Sequence, residues 1–265
     1  MSIDVVILAA GLGRRMGAQS DLMPKCLVSI GGTPLLIRSL ALLKSHGFDS
    51  VTVVIGHLSH LVRSAVHIYG LSSFVRFVEN DVYRRSGSAQ SLCFAFPYIE
   101  TDTFLLLEGD LLFSSRFLVE ARRRLAAPTV FTASQSGSGD EVHVVTTTDG
   151  RPLEIAKSIS GQALRAIETG TARVCGELAG ISILPKSFVG YLTTLQGGTD
   201  FQQRDYESFF VEFAPCAAIE VCWLQGVPWT EVDYQHDLHR ARTTVWPRLA
   251  SESRAVTKSD VEMGR

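Results

Sequence analysis

Strong charge of either sign is missing from this chain. Lys and Arg together number 25 and Asp and Glu 27, a formal net charge of −2 over 265 residues. No global basic field exists to hold nucleic acid or an anionic membrane, so any phosphate binding has to be local. Metal-type cysteine spacing is missing too. Cys26, Cys93, Cys175, Cys216 and Cys222 are odd in number and sit mostly among apolar neighbours with no Cys-x-x-Cys, which predicts reduced, buried thiols. No apolar run approaches the length that spans a bilayer. The short apolar run near the N-terminus has no basic region before it and flows into a polar loop, so it reads as a strand rather than a signal peptide, and a cytoplasmic protein is expected. Internal repeats and an inter-domain linker are likewise lacking. With 46% hydrophobic and 20% charged residues, one α/β domain with a substantial core is expected.

What is present is concentrated in residues 5–28. Val5 to Ala10 is a buried-strand run, and it breaks into Gly11-Leu12-Gly13, where glycine lets backbone N–H groups close around a phosphate. Arg14 and Arg15 follow at once, and Pro24-Lys25 adds a further cation before a second apolar segment. Met16 stands where a dinucleotide fingerprint needs its third glycine, and the Gly-Lys-Ser/Thr of a P-loop is absent.

Along the rest of the chain, helical and strand patterns alternate. Helices are predicted over 35–45, capped by Thr33 with Pro34 in the first turn, and over 59–69; strands over 51–56 and 74–78. A polar loop at 85–88 enters an apolar helix at 92–96, so Gly87, Ser88 and Ala89 form either a plain cap or a ligand-facing turn. Thr103 to Leu107 is a buried strand ending in Glu108-Gly109-Asp110, which places Asp110 where ligands collect in open parallel sheets and makes it the prime metal candidate. The basic run Arg122-Arg123-Arg124 reads as a solvated helix face. Strands are predicted at 129–134, 142–146, 153–157 and 219–223, a flexible loop and candidate lid at 134–140, helices at 208–213 and from 238 to about 246, and a polar tail over 251–265. Lys157 reads as an edge gatekeeper, Glu177 and Glu207 as helix caps or surface groups, and Trp229 as core or, with Tyr206, a π face for an ammonium.

Leu8-Ala-Ala10-Gly11-Leu-Gly13-Arg14-Arg15 followed by Pro24-Lys25 resembles the Leu-Ala-Ala-Gly-x-Gly-x-Arg…Pro-Lys signature of the nucleotidyltransferase superfamily, with Arg15 at the signature arginine. Gly109-Asp110 is similar to its Gly-Asp metal motif, and Trp229-Thr230-Glu231-Val232-Asp233 to its Trp-x-Glu/Asp-Ile/Val-Asp string. Asn80, Tyr83 and Ser91-Leu92 look more like the choline-phosphate and 2-aminoethylphosphonate cytidylyltransferase branch than the sugar branch.

The resemblance implies an α/β Rossmann-like fold, a mixed and mostly parallel sheet flanked by helices, in a single domain over 1–250. Within it, about 1–140 would bind nucleotide and about 141–245 the acceptor. It implies transfer of CMP from CTP to a small phosphate or phosphonate acceptor, with release of pyrophosphate and Mg²⁺ as cofactor. Arg15, Lys25, Asp110 and Asp233 would be catalytic, the two aspartates holding the metal. Leu8, Ala10, Gly11, Gly13, Arg14, Asn80, Gly87, Ser88 and Ala89 would bind the nucleotide, and Lys157, Glu177, Tyr206, Glu207 and Trp229 the acceptor. Hydroxyalkylphosphonate, inositol phosphate and sugar 1-phosphate acceptors stay open, as do a homodimer and a non-catalytic nucleotide-binding regulatory subunit.

Overall fold

The computed structural model describes residues 3–137, 139, 142–198, 201–214 and 216–252. Nine strands form one sheet: β1 (Asp4–Ala9), β2 (Val51–Ile55), β3 (Val75–Glu79), β4 (Thr103–Glu108), β5 (Thr129–Ala133), β6 (His143–Thr147), β7 (Pro152–Ala156), β8 (Ala172–Pro185) and β9 (Glu220–Leu224). The main path runs β7-β6-β8-β4-β1-β2-β3, with β5 paired to β8 and β9 paired to β5. Strands β3, β2, β1 and β4 are mutually parallel, as are β5 and β9, while β8 runs antiparallel to β4, β5 and β6. This is the mixed α/β sheet that the resemblance implies. Continuous apolar runs such as Val51–Ile55, buried at every position, suit strands covered on both faces.

Helices α1 (Leu35–Ser45), α2 (Ser59–Ile68), α3 (Ser88–Ala95), α4 (Arg116–Arg123), α5 (Gly161–Glu168) and α6 (Lys186–Leu195) flank the sheet. Leu36, Leu40 and Leu43 of α1 are completely buried, the stripe the sequence spacing describes. Pro34, not Thr33, is the cap position of α1, because Thr33–Pro34 pair with Ser29–Ile30 in a two-residue ladder. The α3 helix starts at Ser88, earlier than its apolar run. The expected 208–213 helix is a 3₁₀ turn, Tyr206–Phe209, followed by one α-turn, and the C-terminal helix runs from Gln235 through Glu252 with a π-helical stretch at Ala241–Val245. The expected tail is therefore helical at residues 251 and 252, and 253–265 lie outside the described residues. Four of the five cysteines are buried; Cys216 is exposed, against the expectation for that residue.

Two features of chain path create the site. From β1 the chain moves to β2 and β3 on one side, then crosses back to β4 on the other, so a crevice opens beyond the C-terminal ends of β1 and β4. The strands approach so closely there that Gly109 N donates to Leu8 O at 2.9 Å, and a Cβ on Gly109 would lie 2.9 Å from that oxygen.

The second feature is β8, a 14-residue strand that contacts three neighbours by changing register between Val174 and Glu177 and again between Leu178 and Ser182. Gly176 takes φ +90° at the first break, where a Cβ would sit 2.1 Å from Ala133 O. Gly176→Ala is expected to lower stability by about 2–4 kcal/mol, since both the positive φ and the backbone clash oppose it; urea unfolding curves with an unchanged slope and a lower midpoint would register this.

Candidate active site

Leu8, Ala10 and the Gly11–Gly13 loop leave β1 at the mouth of a cavity of about 400 Å³. The loop is held from beneath: His57 N donates to Ala10 O at 3.1 Å and the His57 ring bonds Ser20 O at 2.7 Å. Gly13 has φ +64° and would place a Cβ 3.2 Å from Lys25 Cβ, whereas a Cβ at Gly11 would meet nothing within 4 Å. The loop therefore brings Lys25 under its far end and faces open space at Gly11. Arg14 and Arg15 lie on the cavity rim, both exposed.

At the cavity floor Lys25 Nζ contacts Asp110 Oδ2 and Asp233 Oδ1. Arg15 approaches the other oxygen of Asp233 at 3.1 Å and stacks its guanidinium 5.4 Å from the Tyr234 ring centroid. The four residues expected to be catalytic thus meet in one cluster, although they come from four separate parts of the chain. Burial alone would depress the Lys25 ammonium, but the Asp110, Asp233 and Glu231 carboxylates outweigh it and hold Lys25 above its ordinary pKa. Asp233 is positioned by a residue the sequence did not flag: buried Asp237 accepts from Asp233 N at 3.1 Å and Tyr234 N at 2.9 Å, and is itself paired with Arg240 at 3.1 Å.

The donor set suits a hard divalent cation. Oxygens of Glu108, Asp110 and Glu231 lie within 4.8 Å of one another, and the buried Asp110 Oδ1 has no hydrogen-bond partner. Asp110 is thus joined by Glu108 and Glu231 as groups that could hold Mg²⁺, whereas Asp233, expected as the second ligand, is outside that group and meets Asp110 through Lys25.

Further acidic groups line the cavity beside this cluster. Glu108, Asp205, Glu207 and Glu231 border the cavity together with Lys157, which directly follows β7. Glu108 and Glu231 share a carboxyl–carboxyl hydrogen bond, and Tyr206 Oη donates to Glu108 Oε1 at 2.9 Å. Burial, then the hydrogen-bonded and charged neighbours, leaves Glu108 at about 7, and burial followed by Asp205 pushes Glu207 up to about 8. A carboxyl raised in the folded state favours folding most below its unfolded pKa, and that advantage is lost as pH rises through the folded value. Stability is therefore expected to fall between about pH 4.5 and 8, and Glu207→Gln to flatten part of that slope in melting curves taken across this range.

Several expected contact residues stand behind the wall instead of on it. Trp229 is 6% exposed, packs in the core and donates its indole N–H to Ser134 O at 3.4 Å, so it offers no open face; Tyr206 is 0% exposed, its hydroxyl spent on Glu108. Glu177 is 5% exposed and clamps the candidate lid, accepting from Ser136 N at 2.7 Å and Ser136 Oγ at 3.3 Å, while Arg240 donates to Ser136 O at 3.1 Å. The start of that loop is anchored; Ser138 and Asp140 lie outside the described residues. Asn80 is buried under the nucleotide side, accepting from Val82 N and donating to Ser86 and Ser91 Oγ. Gly87 and Ser88 line the cavity, but Ala89 is buried beneath them. Their turn is stitched to the acidic wall: Ser88 N and Oγ both donate to Asp205 Oδ1, at 3.1 and 3.0 Å.

A family model for the MobA-like NTP transferase domain matches residues 5–181, which include the glycine loop, Lys25 and Asp110. The chain belongs to that family. It is 33% identical over 134 residues to a CMP-5'-(3-aminopropyl)phosphonate synthase of Streptomyces rubellomurinus, covering 51% of this chain and 21% of that protein. It is 29% identical over 119 residues to a 2-aminoethylphosphonate cytidylyltransferase of Lancefieldella rimae, covering 45% of this chain and 47% of that protein. The chain thus matches less than half the length of either relative. The solved CTP:phosphocholine cytidylyltransferase of Streptococcus pneumoniae shares the fold, with a TM-score of 0.73 at 21% identity over 91% of this chain and 97% of that one. Among the described residues no helix is long and apolar enough to cross a membrane.

Proposed function

We propose that this protein is a cytidylyltransferase that joins CMP from CTP to a small phosphonate or phosphate acceptor bearing an ammonium group. The observation that carries this reading is the mixed lining of one cavity: the glycine loop, Arg15 and Lys25 suit a triphosphate, and the carboxyls of Glu108, Asp205, Glu207 and Glu231 suit cations. An acceptor that is anionic at one end and cationic at the other matches both Lys157 and the acidic wall. The aminoalkylphosphonate names of the two relatives point the same way.

In the reaction, an acceptor phosphonate or phosphate oxygen attacks the α-phosphorus of CTP, and the bond from that phosphorus to the bridging oxygen of pyrophosphate breaks. The acceptor oxygen is already ionised near neutral pH, so no general base is needed. The work is positioning two anions and absorbing their charge. Loop amides at Gly11 to Gly13 and Arg15 hold the β- and γ-phosphates, Lys25 follows the charge toward the reacting centre, and Lys157 orients the acceptor anion. Mg²⁺ held by Asp110 and Asp233 would supply charge neutralisation at the α-phosphate. Gly87 and Ser88 border the base side. The described halves of the chain, about 1–140 for nucleotide and 141–245 for acceptor, belong to the same proposal.

The test is magnesium-dependent pyrophosphate release with each of four nucleoside triphosphates against 2-aminoethylphosphonate, phosphocholine, a hydroxyalkylphosphonate, inositol 1-phosphate and glucose 1-phosphate. Release confined to CTP with the amino or quaternary acceptors supports the reading. Preference for a neutral-headed acceptor would sink its ammonium half, and CTP binding without release from any pair would favour the regulatory role.

A further inference from the structure

We infer that the Lys25 ammonium is the resident cation of the two-aspartate site in the nucleotide-free protein, and that it keeps divalent metal out until a polyphosphate draws it away. Its side chain is largely buried and touches a carboxylate oxygen of both Asp110 and Asp233. The second oxygen of Asp233 is taken by Arg15. Three of the four oxygens of the pair are thereby engaged, and Asp110 Oδ1, buried and without a partner, is the single one left. Arg15 and Lys25 balance Asp110 and Asp233, so a divalent ion binding to that pair would have to displace an ammonium from its own counter-ions inside a partly desolvated pocket; Glu108 and Glu231, within 4.8 Å of Asp110, form the competing seat, and binding there would leave Lys25 in place.

The two cations are mounted so that they can leave. Lys25 sits directly under Gly13, its Cβ within 3.2 Å of where a Gly13 Cβ would be, and so lies beside the loop that faces the phosphates; Arg15 is half-exposed on the rim. A triphosphate seated on the loop offers both groups stronger anions than the aspartates, and their transfer frees the carboxylates at the moment an incoming metal has phosphate oxygens to share. Nucleotide and metal then favour each other reciprocally, and Lys25 is the element that couples them. This rests on the transfer reading for the identity of the two aspartates as metal ligands.

The experiment counts free Mn²⁺ by electron paramagnetic resonance in nucleotide-free protein. The wild type is expected to bind Mn²⁺ weakly, with Kd about 1 mM or above. Lys25→Met is expected to bind it about tenfold or more tightly, and Lys25→Met/Asp110→Asn to lose that gain. Equal Mn²⁺ affinity in wild type and Lys25→Met overturns the inference, as does a gain that survives in the double variant. Should Lys25→Met not fold, the wild type decides alone: Mn²⁺ binding tighter than roughly 100 µM without nucleotide overturns it, and weaker binding supports it. Absence of pyrophosphate release by the wild type would sink the transfer reading while leaving the Mn²⁺ result to stand on its own.

Discussion

Asp110→Asn should lower turnover by about 10³-fold while the protein stays folded. The side chain is buried at the end of β4, where Gly109 N is locked to Leu8 O, so the position of residue 110 is set by the backbone and does not depend on its charge. Asparagine keeps the volume and one acceptor oxygen for Lys25, and Asp233 remains as that lysine's counter-ion. On the proposed reading, what is lost is one of the two anionic charges that would hold the metal against the phosphates. Steady-state pyrophosphate release and thermal melting, measured on the same preparation, separate the two effects. Turnover within threefold of wild type would remove Asp110 from the chemistry, and a collapse of melting temperature would make it a structural residue.

The second large effect is expected in choice of acceptor. Glu207→Gln replaces, without changing its shape, a carboxyl that burial keeps protonated up to about pH 8 and that an arriving ammonium would ionise, and it should raise KM for an aminoalkylphosphonate by about 10- to 100-fold. The hydroxyalkylphosphonate of equal length gains nothing from that carboxylate, so its KM should stay within about threefold. A parallel rise for both acceptors would mean that Glu207 only shapes the pocket. The wall has carboxylates at Glu108, Asp205, Glu207 and Glu231 and no open aromatic face from Trp229 or Tyr206. That composition suits a primary ammonium, which can donate hydrogen bonds, better than a quaternary one, which is usually met by aromatic rings.

The glycine-loop side of the cavity was legible in the sequence because its parts are local. Strand β1, the glycine loop and Arg15 are contiguous, and Asp110 follows a buried strand at once. The acceptor end was not, since its wall is assembled from β4, the turn at 205–207 and the 229–231 ladder. The Glu108–Glu231 contact joins residues 123 positions apart for which no spacing rule exists. Aromatic residues were the hardest to place: a Trp before a conserved-looking acidic string and a Tyr between two acids read equally as lining or as support, and the structure uses both as support. Helix α5 escaped notice because it is short: its apolar face is only Ala163 with the partly buried Ala166 and Ile167 packed beside it. The length of β8 escaped because Gly176 and Gly180 look like turn signals, yet they are bends within one strand.

That long bent strand governs how the molecule can be divided. A fragment ending near residue 140 would retain β1 to β5, but β4 and β5 would each lose the ladder that β8 supplies, leaving the edges at Leu105 and Leu107 and at Val130 and Thr132 unpaired. The nucleotide loop and its acceptor wall are therefore expected to be inherited, expressed and unfolded as one cooperative unit, with fragment complementation working only when the break falls in a loop outside the span of β8.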